Sequence, residues 1–274
     1  MSYSLPSVRL TNIKQCVEAF EELESRCNRL EGDTFAVNLP AFVEPFAFAI
    51  LEALRLRLER RGKLLRLIEN TPPTYGRPFS RIIGFGGNAI GAATTIPLHA
   101  FQSNEGDRVG VFLRELWARR ARALTELTTP YVVEAVGEVF ANAFTHSHSD
   151  IGTISCGQYI PKKDELHLSV LDLGIGIPRS IAESKGRREE EIDASKAVAW
   201  AFEEGNTTMI GMPRGLGLAI LRNFLRRSGA TLHVFSGRGY ASLMQDKWST
   251  ETLGSRFPGT LIDIQLPASK VSVS

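Results

Sequence analysis

VGEVFANAFTHSHSD, residues 136–150, contains two residues that a helix would set one turn apart, Glu138 and Asn142. At helical spacing Glu134, Glu138, Asn142 and Thr145 or His146 form one polar stripe, and Val132, Val136, Val139 and Ala143 form an apolar one. Taken alone, the segment has two readings. It is a surface helix with solvated polar side chains, or it buries its valines while aiming a carboxylate and a carboxamide at a ligand. The rest of the chain has to decide between them.

Working outward, residues 109–126 and 130–147 read as consecutive helices, followed by strands at 152–160 and 165–173 joined through PKKD as a hairpin. A helix is expected around 194–204 and another after 217. Strands follow at 231–236, 240–244 and 260–266. On the N-terminal side, a helix over 11–30 ends at Gly32. FAVNL (35–39), a helix from Pro45 to the stop at Gly62, and KLLRLIE (63–69) as a buried strand make a strand, helix, strand unit suited to a parallel sheet. The glycine-rich stretch 82–93 has no clear assignment. The polar break SNEGDR (103–108) is the expected domain boundary.

Three further segments bear on chemistry. In LDLGIGIP (171–178), Asp172 ends a strand pattern, and Gly174 and Gly176 follow at two-residue steps. A carboxylate there can accept from an amino group, and the glycines leave room for a flat ring; an ordinary Asp-Gly turn fits equally. In PRGLGLAI (213–220), Arg214, Gly215, Leu216, Gly217 and Leu218 open a helix, where free amides and the helix dipole suit phosphate, although many helices begin in this way. In PGTLIDI (258–264), Thr260 starts the last strand.

The order of the four segments makes them specific as a set. Together they resemble the nucleotide-binding fold shared by DNA gyrase, the large heat-shock chaperone, bacterial histidine kinases and the mismatch-repair protein MutL, the GHKL ATPases. The resemblance covers residues 108–268. It implies an ATP site with Mg2+ on Asn142, Glu138 positioning or deprotonating the attacking water, and Asp172 on the adenine amino group with Thr260 supporting it. Gly174, Gly176 and the box Arg214, Gly215, Leu216, Gly217 and Leu218 would surround base and phosphates, and Arg179 to Pro213 would form a lid. The first histidine is His99, so nothing ahead of it supplies the phosphoacceptor of a sensor kinase.

Residues 33–102 resemble, in their strand, turn, helix, strand core, the STAS domains of anti-anti-sigma factors. Where those carry a phosphorylated serine, this chain has Val43-Glu44-Pro45-Phe46-Ala47, with no hydroxyl. The expected fold class is therefore α/β with two domains. A STAS-like unit with its N-terminal helix occupies 1–105, and a histidine kinase-like ATPase domain, a mainly antiparallel sheet covered by helices, occupies 106–274.

Other features are read as scaffold. GFGG (84–87) has no lysine at phosphate-loop spacing. His146 and His148 diverge on a helix and make a poor chelate. Glu134 lacks the motif spacing of Glu138.

Lys and Arg exceed Asp and Glu by 2, too little to argue for a nucleic-acid partner from net charge, and none is expected. Cys16, Cys27 and Cys156 are too sparse for a metal or disulfide framework, and no apolar run is long enough for a membrane span, so the expected location is cytoplasmic. Three functions follow from the resemblance: slow Mg-ATP hydrolysis coupling lid closure to partner or interdomain contacts in signalling; an anti-sigma-like serine/threonine kinase acting on a STAS-type protein; and a non-catalytic, nucleotide-gated interaction module. Each implies a protein partner, and the family allows a homodimer.

Overall fold

The computed structural model describes residues 1–69, 78–87, 89–90, 94–120, 129–203, 205–206 and 217–267. Two sheets organise these residues. The smaller has three parallel strands in the order β1-β2-β3, with β1 at Ser2–Ser4, β2 at Thr34–Leu39 and β3 at Leu64–Glu69. The larger is antiparallel, in the order β4-β5-β6-β8-β7, with β4 at Thr95–Phe101, β5 at Thr153–Ile160, β6 at Glu165–Asp172, β7 at Thr231–Met244 and β8 at Lys247–Pro267. β4 precedes the break at 103–108, so the larger sheet takes its first strand from the N-terminal side of that break.

Between the sheets lie α1 (Ile13–Asn28) and α2 (Pro45–Arg60). α2 shows why they are there. Every residue from Pro45 to Leu54 is buried, including Glu52, so the helix has no solvent face over its first two and a half turns. A helix that is apolar all round must be covered on both sides. Glu52 is tolerated because Arg55 forks onto its carboxylate at 2.7 and 2.9 Å and the Gly86 amide donates to it at 3.1 Å. α1 packs its Phe20 edge-on against Phe46 of α2 and Phe257 of β8, at centroid separations of 6.1 and 6.2 Å. One core thus joins Val37 of β2, Phe20, Ile50, Cys156, Leu171, Phe257 and Leu261. The three cysteines are free and buried, and burial pushes the Cys16 and Cys27 thiols up to about 12.

The other face of the larger sheet carries α4 (Gly106–Arg120), α5 (Thr129–His146) and α8 (Gly217–Ser228) over a second core. Alternation along the strands sorts the residues. Leu166, Leu168 and Val170 of β6 and Ile262, Ile264 and Leu266 of β8 point to α5 and α8, while Leu171 and Leu261 point to α1 and α2. Asp172 and Thr260 share the parity of the first set. Val132, Val136 and Val139 are buried as the periodicity requires.

Several expectations change. KLLRLIE is an edge strand: Leu64 is 57% exposed, because only one face of the small sheet is covered. The strands expected at 231–236 and 240–244 are one strand, β7, with irregularities at Ser236, Gly237 and Gly239. It turns into β8 through Gln245 and Asp246, whose φ angles of 50° and 61° are those of a type I′ turn. The stretch from Arg179 to Glu191 is ordered as α6 (Ile177–Ser184) and a 3-10 turn at Glu189–Glu191. α7 (Ala194–Trp200) follows, with Val198 fully buried in the second core, so this part of the expected lid is packed in place. The remainder of that lid, 207–213, lies outside the described residues.

Phe257 contacts Phe20 and Phe235 across the junction of α1 with the larger sheet. Phe257→Ala is expected to cost about 3–5 kcal/mol, seen as a lower urea midpoint in a single transition for both halves.

Candidate nucleotide site

Asp172 is the last residue of β6, paired in register with Thr260 of β8 on one side and Thr153 of β5 on the other; Ser236 of β7 continues the row beyond Thr260. All four are buried polar side chains on one rung of the sheet. Ser236 Oγ lies 2.9 Å from Thr260 Oγ1 and accepts from the Ile177 amide at 2.7 Å. Thr153 Oγ1 is buried without a partner among the described residues.

The Asp172 carboxylate accepts from the Gly174 amide at 2.9 Å and from the Thr260 amide. Burial nevertheless dominates, pushing its pKa from 3.8 up to about 7, with the two amides and the Arg57 guanidinium pulling the other way. A buried carboxylate with acceptor capacity beyond these two amides suits a donor such as an exocyclic amino group.

The glycines after Asp172 serve the chain's own packing. A Cβ on Gly174 would fall inside the Ser147 carbonyl, the same oxygen that accepts from the Ile175 amide at 2.7 Å. Gly176 has φ 84°, and a Cβ there would lie 3.0 Å from Ser236 Oγ. Gly259, at φ 92°, is pressed against the Asp172 carbonyl. The space a Gly174 Cβ would take is filled by the end of α5, which this contact stitches to the loop 173–176. That end is shaped by His148, whose φ of 54° turns the chain, and by the Ser147 hydroxyl accepting from the Ser149 amide at 3.0 Å. Burial and His148 hold the His146 imidazole below its usual range.

On α5 itself, Glu138 and Asn142 are half-buried, at the margin between core and solvent, and Glu134 is exposed. Asn142 Nδ2 donates to the Glu138 carbonyl at 2.7 Å, which ties the amide nitrogen back along the helix and leaves Oδ1 without a hydrogen bond among the described residues. The Glu138 carboxylate likewise has no hydrogen bond or ion pair among them. α8 begins at Gly217 and packs against α5; Leu218 is nearly buried in the second core, so its side chain serves packing. Arg214, Gly215 and Leu216 lie outside the described residues.

Residues 129–270 match the family described as histidine kinase-, DNA gyrase B- and HSP90-like ATPases. The chain belongs to this family. ATP binding is the property that membership carries, and the match spans α5, the sheet with Asp172 and Thr260, and α8. No curated protein matches the chain. Among the described residues, no helix is long and apolar enough to cross a membrane.

Ser147, Ser236, Thr153 and Arg57 were not singled out from the sequence. Their roles depend on strand register and on a contact between α2 and the loop after β6, neither of which leaves a local pattern.

Asp172 provides a pH test. Its folded pKa of about 7 lies above the value near 3.9 of an unfolded chain, so between those limits the native state binds more protons and loses stability as pH rises, levelling off above 7. Asp172→Asn removes this loss. Between pH 5 and pH 8 the variant should gain about 3 kcal/mol on the wild type, read from denaturant midpoints at both pH values.

Proposed function

We propose that the chain binds Mg-ATP between α5, the loop 172–176 and the start of α8, and hydrolyses it slowly. Asp172 receives the adenine amino group, with Thr260 and the unpartnered Thr153 hydroxyl bordering the same rung. The observation that carries the reading is the pair on α5: a carboxylate and a carboxamide oxygen one turn apart, both unengaged among the described residues.

Magnesium fits this donor set. No group of three or more His, Cys, Asp or Glu side chains that could hold a metal occurs among the described residues. A single carboxamide suits Mg2+, which takes the rest of its octahedral oxygen shell from phosphates and water. When bound, it would neutralise charge on the phosphates. Asn142 Oδ1 would hold it, and Glu138 would take a proton from the attacking water as the water oxygen bonds to the γ-phosphorus and the bond to ADP breaks.

We further propose that residues 1–105, apart from β4, form a STAS-like unit acting as a fixed partner of the ATPase half. Its helix start does not suit phosphorylation: Pro45, Phe46 and Ala47 are buried, Pro45 O accepts from Cys156 Sγ at 3.2 Å, and Glu44 at the cap accepts from the Leu10 amide at 3.1 Å.

Glu138→Ala should lower steady-state phosphate release from Mg-ATP by at least about 100-fold while leaving nucleotide affinity within a few-fold. Unchanged turnover would remove Glu138 from the chemistry. Absence of turnover in the wild type, with ATP still bound, would leave binding alone as the function.

A further inference from the structure

The loop that follows Asp172 is held by two arginines, each of which also contacts a carboxylate of α1. Arg57 of α2 donates through Nη2 to the Leu173 carbonyl. Its Nη1 pairs with Glu24 of α1 at 3.0 Å and its Nε with Asp150, in the turn after α5, at 3.2 Å. Arg256 of β8 donates through Nη2 to the Ile175 carbonyl at 3.3 Å and through Nη1 to Glu189 at 2.7 Å, while its amide donates to Glu21 of α1 at 3.0 Å. The carbonyls on either side of Gly174 are thus both gripped by guanidinium groups, and α1 supplies a carboxylate to each arrangement. A guanidinium that divides its donors between a carbonyl and carboxylates fixes direction as well as distance.

We propose that Arg57 and Arg256 are positioning residues through which α1 and α2 set the geometry of the adenine loop, so that nucleotide affinity depends on how the N-terminal half is seated. The inference rests on the ATP-site reading above. Its physical basis is that, beyond the Gly174 amide on Asp172 and the Ile177 amide on Ser236 Oγ, the loop's carbonyls 173 and 175 are held by side chains of residues that are themselves tied to α1. Gly174 is tied to the end of α5 by one backbone hydrogen bond, from Ile175 to Ser147, and the remaining side-chain contacts to carbonyls 173 and 175 come from these two arginines. Coupling of this sort is reciprocal: a seated N-terminal half favours ATP, and bound ATP favours the seated half. A protein partner that draws α1 away from Arg57 and Arg256 would release nucleotide without touching the pocket.

The effect on Asp172 supplies a readout that mere loss of packing would not move. Arg57 is the charged group that offsets burial at Asp172, and His146, the titratable group ending α5, is held below the usual imidazole range. Removing the Arg57 charge therefore raises the pH at which Asp172 becomes able to accept the amino group.

The test is ATP titration of the full chain from pH 6 to pH 9 for wild type, Arg57→Gln and Arg57→Lys. Arg57→Gln should weaken binding on the order of tenfold at neutral pH and move the midpoint of the pH dependence upward, with Arg57→Lys returning the midpoint toward wild type. Glu24→Gln, remote from the nucleotide, should weaken binding in the same direction by a smaller factor. Equal affinity and an equal midpoint in Arg57→Gln would overturn the proposal. Should Arg57→Gln not fold, hydrogen exchange on the wild type decides instead: saturating ATP should slow exchange in α1 and α2, and unchanged exchange there would overturn it. Failure of wild type to bind ATP at all would be a failure of the site assignment itself.

Discussion

A carboxylate buried at the end of a central strand is the constraint around which this protein is arranged. Asp172 cannot be ionised there at low cost, and burial outweighs the two amides and the guanidinium that favour its charge. The surroundings are arranged to keep it in place. Gly259 presses on its carbonyl, Thr260 and Ser236 continue its rung across β8 and β7, and the loop after it is clamped between the end of α5 and the arginines of α2 and β8. A carboxylate buried in a rigid frame is costly to the empty protein and useful for recognising a donor.

The second organising fact is that the N-terminal half and the ATPase half share a core. α2 has no solvent face until its third turn, and Phe20, Ile50, Phe257 and Leu261 belong to one apolar cluster. The α1–α2 layer covers the sheet on the face opposite α5 and α8. A covering layer that also sends Arg57 to the loop beside Asp172 connects packing with ligand chemistry. Movement of the layer has to be felt at the site.

Much of this was legible in the sequence. The valine spacing of residues 132–139 gave the buried face of α5, and the alternation in ELHLSVLD gave β6. Asp172, Gly174, Gly176 and Thr260 stood out by their positions at strand ends. What was not legible depended on pairing at a distance. β4 lies in a stretch whose Pro97 and neighbouring glycines hide an edge strand, and the first part of β8, rich in Ser, Thr and Glu, owes its strand form to the hairpin with β7. The packing of Gly174 was not legible because the sequence cannot show which atom occupies the space a glycine leaves; here it is the Ser147 carbonyl. The apolar run PFAFAIL was legible as part of a helix, whereas its cover on both sides became visible only with the two sheets in place.

Titration of the full-length chain with ATP, in the presence and absence of Mg2+, tests the account most directly when done side by side for wild type and Asn142→Ala. Asn142 Oδ1, without a hydrogen bond among the described residues, is the oxygen we assign to the metal. The account predicts that wild type binds ATP more tightly with Mg2+ and that Asn142→Ala loses that gain while keeping metal-free affinity. An equal gain from Mg2+ in both proteins, or no ATP binding by the wild type under either condition, would contradict it.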